Sequence, residues 1–389
     1  MLLLIAAITV TTSFEAGSLG RVEYVSPVHL RCAVKGQADQ DGRNRQANWY
    51  YFRLDNLPKQ DVRIELTDLA GEYNYRPGSY SVTRNTRPVY SYDDRAWKHF
   101  ADENVEWDEK QARLTVRFKP ERPRVWIAHV PPYTTAHLAR LLGDIGKRPQ
   151  ARQESAGRTV HGRELPLVTI TDPAAPDSDK KVVWLMARQH AWETGTSWVI
   201  DGAVRFLVSD SPEAAKLRRA VVWKIFPMAD PDGVVNGQVR FNANGYDVNR
   251  NWDTADARVV PEIAAMKKSM FDWIDSGRRI DLFLALHNQE AGDYIEGPAG
   301  AVAQRFFDAL DKTASFQASG GPRDSFGKGA VDKGRMTVNQ ALFQERKIQA
   351  FLMELGVERN AKLARLRTTD DNLQFGPDLL KAINGDSNK

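Results

Sequence analysis

From about Ile8 to about Val130 the apolar positions fall in short runs, and several runs alternate with polar residues. Residues 22–25, 49–54, 62–66, 113–118 and 125–129 are rich in β-branched and aromatic side chains, and Gly, Pro, Asn and Asp separate them. A period of two, broken at short intervals by turn residues, predicts an antiparallel β-sandwich over residues 8–132. Its aromatics Trp49, Tyr51, Phe52, Tyr80, Tyr90 and Trp97 are expected in the core.

Pro131-Pro132-Tyr133 ends this region. Residues 134–145 read as an amphipathic helix with Leu138, Leu141 and Leu142 on one side. The Pro/Ala/Asp-rich stretch 171–179 reads as a loop. From about Lys180 the pattern changes. Apolar runs at 182–187, 220–226, 281–286 and 348–355 read as strands. Segments 194–207, 261–275, 302–314 and 338–343 carry helical spacing. The tail after about Gly376 reads as a short helix followed by a polar end. Strands alternating with helices predict an α/β domain over residues 133–389, with a mostly parallel or mixed sheet between layers of helix.

Composition narrows the picture. A chain of 389 residues suits two domains, and 42% hydrophobic with 27% charged residues describes a globular chain. The net charge of +4 is small and no basic block occurs, so nucleic-acid binding gains no support. The single cysteine, Cys32, excludes an intrachain disulfide and a thiolate-rich metal site, and its neighbours make it a core residue. Residues 1–7 are apolar and end in small residues but lack a basic segment, so they fit either the remnant of an export signal or a first strand. No other stretch is long enough to span a bilayer. Compartment and oligomeric state stay open.

Candidate chemistry collects where strands of the second domain end, the position at which ligands bind in such sheets. Arg188-Gln189-His190-Ala191-Trp192-Glu193 follows the first strand, and His190 and Glu193 are three apart at a strand-to-helix junction. Pro231-Asp232-Gly233 follows the second strand, His287 closes the third, and Glu354 lies inside Phe351-Leu352-Met353-Glu354-Leu355. Two histidines and one glutamate make a three-ligand set suited to Zn2+, with one position open for water. A further carboxylate, such as that of Glu354, can take the proton from such a water. In the cluster Asn244–Asp253, Arg250 offers a planar fork for a carboxylate and Asn249 a further donor. Asp247 is placed to hold the far nitrogen of a ligand histidine, and Arg240 can reach the site from the same long loop.

The order HAWE, PDG, DVNRNW, a strand-end histidine and a glutamate in FLMEL resembles that of the M14 zinc metallocarboxypeptidases. Phe14-Glu15-Ala16-Gly17-Ser18-Leu19-Gly20-Arg21-Val22-Glu23, Trp49-Tyr50-Tyr51-Phe52-Arg53 and Val130-Pro131-Pro132-Tyr133-Thr134 are similar to the β-sandwich domain of the cytosolic carboxypeptidase subfamily. The resemblance runs from about Ile8 to Asn360. It implies that His190, Glu193 and His287 bind one zinc ion and that Glu354 is the general base. It assigns Arg240 to the oxyanion of the tetrahedral intermediate, and Asn249 and Arg250 to the terminal carboxylate of a peptide or protein. Asp247 matches the partner of the first histidine. Three positions depart from the pattern. Trp192 stands where the pancreatic type has arginine and the cytosolic type usually glycine. His287 is followed by Asn288-Gln289 instead of the Gly-His-Ser common in the subfamily. No tyrosine follows Tyr294 to serve as the substrate-capping residue.

The subfamily implies a preference for acidic C-terminal residues such as glutamate, which requires a basic side chain in the pocket. Arg335, Arg346 and Lys347 precede Glu354 and are the sequence candidates. Two other readings share part of the pattern: a zinc amidase or deacylase acting on a non-protein amide, and a catalytically silent binding protein that uses the sandwich to hold a partner.

Overall fold

The computed structural model describes residues 7–327 and 331–385, so the apolar start at residues 1–6 and the last four positions lie outside the described residues. The chain divides into two compact units. One takes in the residues up to Pro132 together with Gly233–Phe241, and the other takes in Tyr133–Asp232 and the residues from Asn242 onward.

The first unit is built on two five-stranded sheets. One has the order β1 (Thr9–Thr11), β4 (Tyr51–Asp55), β12 (Arg124–Ala128), β8 (Val89–Ser91), β9 (Lys98–His99), with every pair antiparallel. The other runs β10 (Val105–Asp108), β11 (Arg113–Phe118), β5 (Val62–Thr67), β3 (His29–Ala33), β2 (Val22–Ser26). It is antiparallel except between β3 and β5, which pair in parallel. Alternate residues of both sheets meet in one core: Leu30, Cys32, Ile64, Leu66, Leu114 and Val116 from one, Phe52, Leu54, Val125 and Ile127 from the other. That is the sandwich the period-two pattern predicts. Trp49, Tyr51 and Phe52 are buried as expected, whereas Tyr80 is 43% exposed beside the hairpin β6 (Gly71–Tyr73) and β7 (Arg76–Ser79). Cys32 is fully buried, and burial pushes its thiol up to about 12, which leaves it an inert core group.

The second unit is organised on an eight-stranded mixed sheet, order β13 (Ala151–Arg158), β14 (Glu164–Ile170), β16 (Val221–Phe226), β15 (Lys181–Ala187), β17 (Leu282–Gln289), β20 (Ala350–Gly356), β18 (Tyr294–Gly297), β19 (Arg323–Asp324). Its centre, β16-β15-β17-β20, is parallel. Strand β15 shows how both faces are covered. Val183, Leu185 and Ala187 enter a core with α1 (Thr135–Ile145), α2 (Thr194–Leu207), α6 (Ala301–Asp311) and α8 (Thr369–Gly385). Val182, Trp184 and Met186 enter the opposite core with α5 (Pro261–Asp275) and α7 (Val338–Arg346). Burial on both faces is why the central strands read as continuous apolar runs. The remaining helices are α3 (Pro212–Ala220) and the short α4 (Pro231–Val235).

Two features differ from the sequence expectation. Strand β13 is polar along most of its length and exposed at the sheet edge, so it lacks the apolar alternation that marks a strand. Helix α8 begins seven residues before Gly376 and runs through Pro377, both of which read as helix breakers.

Candidate metal centre and active site

The sheet places the site through its register. His287 on β17 and Glu354 on β20 are direct partners in adjacent parallel strands, so their side chains leave the same face. Tyr294 on β18 is the antiparallel partner of Glu354. His190 and Glu193 come from the turn between β15 and α2. Arg188 shapes that turn. It adopts a left-handed φ of 63° and is 1% exposed, and its guanidinium donates to the carbonyls of Ala191 and Tyr133 and to Ser197 Oγ at 2.8, 3.0 and 3.1 Å.

His190, Glu193 and His287 converge, with one ligand atom from each lying within 4.8 Å of the others. All three are about 2% exposed or less. His190 Nδ1 lies 2.7 Å from Glu193 Oε1, and His287 Nδ1 lies 2.9 Å from Glu193 Oε2. Burial pushes the Glu193 carboxyl up, but the two facing imidazoles outweigh burial and hold it below the usual carboxylate range. The outer nitrogens have partners of their own. His190 Nε2 is 3.1 Å from Asp247 Oδ1, and His287 Nε2 is 3.0 Å from Gln189 Oε1. A ring that donates through Nε2 keeps its Nδ1 lone pair directed inward. Two inward imidazole nitrogens and one buried carboxylate form a nitrogen–oxygen donor set that fits zinc, and three protein ligands leave a position for water. Glu354 stands outside this cluster, half-buried on the neighbouring strand.

The segment after α4 supplies the next groups. Asp247 Oδ1 accepts the Asn249 backbone N–H at 2.8 Å as well as facing His190. Asn249 is 2% exposed, with Nδ2 3.3 Å from His287 Nε2 and Oδ1 accepting the Val338 N–H at 3.0 Å. Arg250 donates from Nη1 to the Asn249 carbonyl at 2.8 Å. The structure therefore brings His190, Glu193, His287, Asp247 and Asn249 together, with Glu354 and Arg250 beside them. Arg240 belongs to the other compact unit, where its guanidinium carbon lies 5.6 Å from the Tyr73 ring.

Two groups escaped the sequence reading. Gln189 is fully buried, faces His287, and donates from Nε2 to the Val248 carbonyl at 2.8 Å. Its signal was adjacency to His190 in the same strand-end motif. Glu296 on β18 pairs in register with Leu352 and with Arg323. Burial holds the Glu296 carboxyl above the usual carboxylate range, against the opposing charges of Arg250 and Arg323. Arg323 also lies over the Tyr294 ring at 3.4 Å. The sequence candidates for a basic pocket residue are engaged otherwise. Arg346 pairs with Asp275 and lies over Phe271, Arg335 is 3.9 Å from Asp332, and Lys347 lies over Phe343. The departures after His287 have local roles. Asn288 donates to the Leu355 carbonyl at 3.0 Å, and Gln289 caps the turn at Ala291 and Gly292.

Residues 142–294 match the zinc carboxypeptidase (peptidase M14) family, a family of peptide hydrolases, and residues 10–130 match the cytosolic carboxypeptidase N-terminal domain. The chain is 29% identical over 306 residues to cytosolic carboxypeptidase 1 of Danio rerio, covering 71% of this chain and 26% of that one. It is 28% identical over 295 residues to cytosolic carboxypeptidase 6 of Mus musculus, covering 72% and 53%. The chain thus spans about half or less of the length of these curated relatives. A crystal structure of a metallo-carboxypeptidase from Burkholderia cenocepacia superposes with a TM-score of 0.83 at 27% identity, over 98% of this chain and 99% of that one. Among the described residues no helix is long and apolar enough to cross a membrane.

Proposed function

Because the chain belongs to the M14 zinc carboxypeptidases and carries the cytosolic type of N-terminal domain, we propose that it removes C-terminal residues from peptides or proteins, with glutamate preferred. The observation that carries this reading is the buried His190–Glu193–His287 cluster with Glu354 in register beside it. His190 and His287, through Nδ1, and Glu193 would hold one zinc ion. When bound, zinc supplies Lewis acidity, which polarises an amide carbonyl and brings the pKa of water to about 7. Glu354 takes the proton of the attacking water and delivers it to the leaving amine. Arg250, with Asn249, grips the terminal carboxylate and so restricts cleavage to the last peptide bond. Arg240 stabilises the oxyanion, an effect worth about 3 kcal/mol in such sites.

The glutamate preference is supported by charge on the β18–β19 edge. Arg250 and Arg323 both act on the buried carboxyl of Glu296, so two cationic side chains meet at this edge. Arg323, over the register partner of Glu354, is the basic side chain we assign to the substrate's acidic group.

Zinc content should be measured together with release from peptides ending in Glu, Lys or Leu, on the wild type and Glu354→Gln. The expected result is one zinc per chain in both, fastest release of glutamate by the wild type, and loss of nearly all turnover in the variant. Retained turnover in Glu354→Gln would remove the assigned base, and equal rates on the three peptides would remove the acidic preference. Zinc without release from any peptide would favour an amidase, and a folded chain with neither zinc nor turnover would favour a silent binding protein.

A further inference from the structure

Asp293 lies immediately before β18 and has no part in the chemistry described so far, yet it is 1% exposed and its carboxylate gathers three donors. Oδ1 accepts the Gly356 N–H of β20 at 2.8 Å. Oδ2 accepts the Gln317 N–H at 2.6 Å and a hydrogen bond from Arg367 Nη2. Arg367 is itself 6% exposed. The same Nη2 donates to the Ser315 carbonyl, and the guanidinium carbon lies 5.8 Å from the Phe375 ring of α8. The Asp293 backbone is tied as well: its N–H donates to the Gln317 carbonyl and its carbonyl accepts the Ser319 N–H, both at 3.0 Å. A buried ion pair adds little net stability over apolar packing, because desolvating both charges offsets their attraction. What this one supplies is fixed geometry.

The geometry it fixes is that of the strand end that carries Glu354. Tyr294, the residue after Asp293, is the partner of Glu354 in the pairing of β18 with β20. Gly356, whose N–H Asp293 holds, lies two residues beyond Glu354. On the other side β17 pairs His287 with Glu354 and Gln289 with Gly356. Glycine permits the close approach at 356, since a Cβ there would lie 2.7 Å from the Gly292 amide nitrogen and 2.8 Å from the Gly292 carbonyl oxygen. Glu354 therefore sits between two strands, and one buried carboxylate joins the end of its own strand to the start of the next.

We propose that Asp293 is a positioning residue for Glu354: held by Arg367, it ties the end of β20 to the start of β18 and so fixes the backbone from which Glu354 reaches the attacking water. The inference rests on the carboxypeptidase reading, in which Glu354 is the general base. A base must lie within about 3 Å of the atom whose proton it takes, and a displacement of about 1 Å can cost on the order of 100-fold in rate. Asp293 acts on kcat through Glu354.

The test compares wild type, Asp293→Asn, Glu354→Gln and, as a control for lost stability alone, Gly202→Ala, all on the full chain. The readouts are zinc content, Tm, and kcat and KM on whichever of the Glu, Lys and Leu peptides the wild type cleaves fastest. Asparagine keeps the shape of aspartate but offers one acceptor oxygen to three donors, so its amide NH2 must face either the Gly356 N–H or the Arg367 guanidinium. The expected result for Asp293→Asn is a kcat loss of about tenfold or more, with KM within about twofold of wild type and zinc content unchanged. Gly202→Ala should lower Tm and keep wild-type kcat. Wild-type kcat in Asp293→Asn would overturn the role of Asp293 and leave that of Glu354 standing. Loss of zinc in proportion to the lost rate would overturn it too, as would an equal kcat loss in Gly202→Ala, because general loosening would then suffice. Full turnover in Glu354→Gln would remove the base and the inference with it, and a wild type that releases nothing from any peptide would remove the carboxypeptidase reading itself. If Asp293→Asn does not fold, Arg367→Lys, which keeps the charge on a shorter side chain, takes its place with the same outcomes.

Discussion

Two of the candidate ligands, His190 and His287, are held by outer partners as well as by the turn and strand that carry them. A histidine ring rotates about its Cβ–Cγ bond unless its second nitrogen is fixed, and a free ring must lose that rotational freedom on binding a metal. Asp247 fixes His190, and Gln189 fixes His287 at 3.0 Å while Val248 anchors the Gln189 amide. Gln189→Ala is therefore expected to weaken zinc affinity by about 10- to 100-fold with Tm changed little. A competition titration against a chelator measures this, and an affinity within twofold of wild type would mean that Gln189 does not orient the ring. His190, Glu193 and His287 were legible in the sequence because their residue types are scarce and each sits where an apolar run stops. Gln189 sits in the same motif, but glutamine beside a strand end is too common to select by type.

The contact between α2 and α8 turns on two glycines. A Cβ on Gly202 of α2 would lie 1.9 Å from the Leu373 carbonyl oxygen of α8, and one on Gly376 of α8 would lie 2.4 Å from the Ala203 amide nitrogen of α2. In an exposed helix interior, Gly→Ala adds roughly 0.5–1 kcal/mol of stability. Here the added methyl displaces backbone, so Gly202→Ala is expected to destabilise by about 3 kcal/mol. A shift of the urea midpoint to lower concentration with m unchanged would show it, and a midpoint at or above wild type would sink the packing argument. This explains why the extent of α8 was not legible. Gly376 and Pro377 carry a local breaker signal, and a docking surface on another helix overrides it. The central strands were legible because burial on both faces leaves an apolar run with no ambiguity of period, whereas the exposed edge strand β13 left none.

At the scale of the whole molecule, buried neutral histidine contributes to acid sensitivity. His129 is 2% exposed in the sandwich unit, next to Tyr50 at 5.5 Å between ring centroids, and burial pushes it down to about 4 from an ordinary 6.5. The folded state resists the proton that the unfolded chain accepts below pH 6.5. The stability from keeping His129 neutral is therefore fully present above pH 6.5 and is lost as pH falls towards 4, a loss on the order of 3 kcal/mol. Urea midpoints measured from pH 7 to pH 4 should fall in the wild type and fall less steeply in His129→Phe. Parallel slopes would place the acid sensitivity elsewhere.

The sequence by itself determined the two domain types, the central strands and helices, and the identity of the metal-binding candidates. Each depends on local signals: the period of apolar residues, the turn residues between them, and rare ligand types at strand ends. Only the tertiary structure decided which groups meet. The pairing of β17 with β20 sets His287 beside Glu354, 67 residues away, and Asp293 reaches Gly356 across 63. Sheet register likewise brings Arg323 next to Glu296 and over the Tyr294 ring. Such contacts are fixed by how strands and loops pack in three dimensions, and no run of neighbouring residues encodes them.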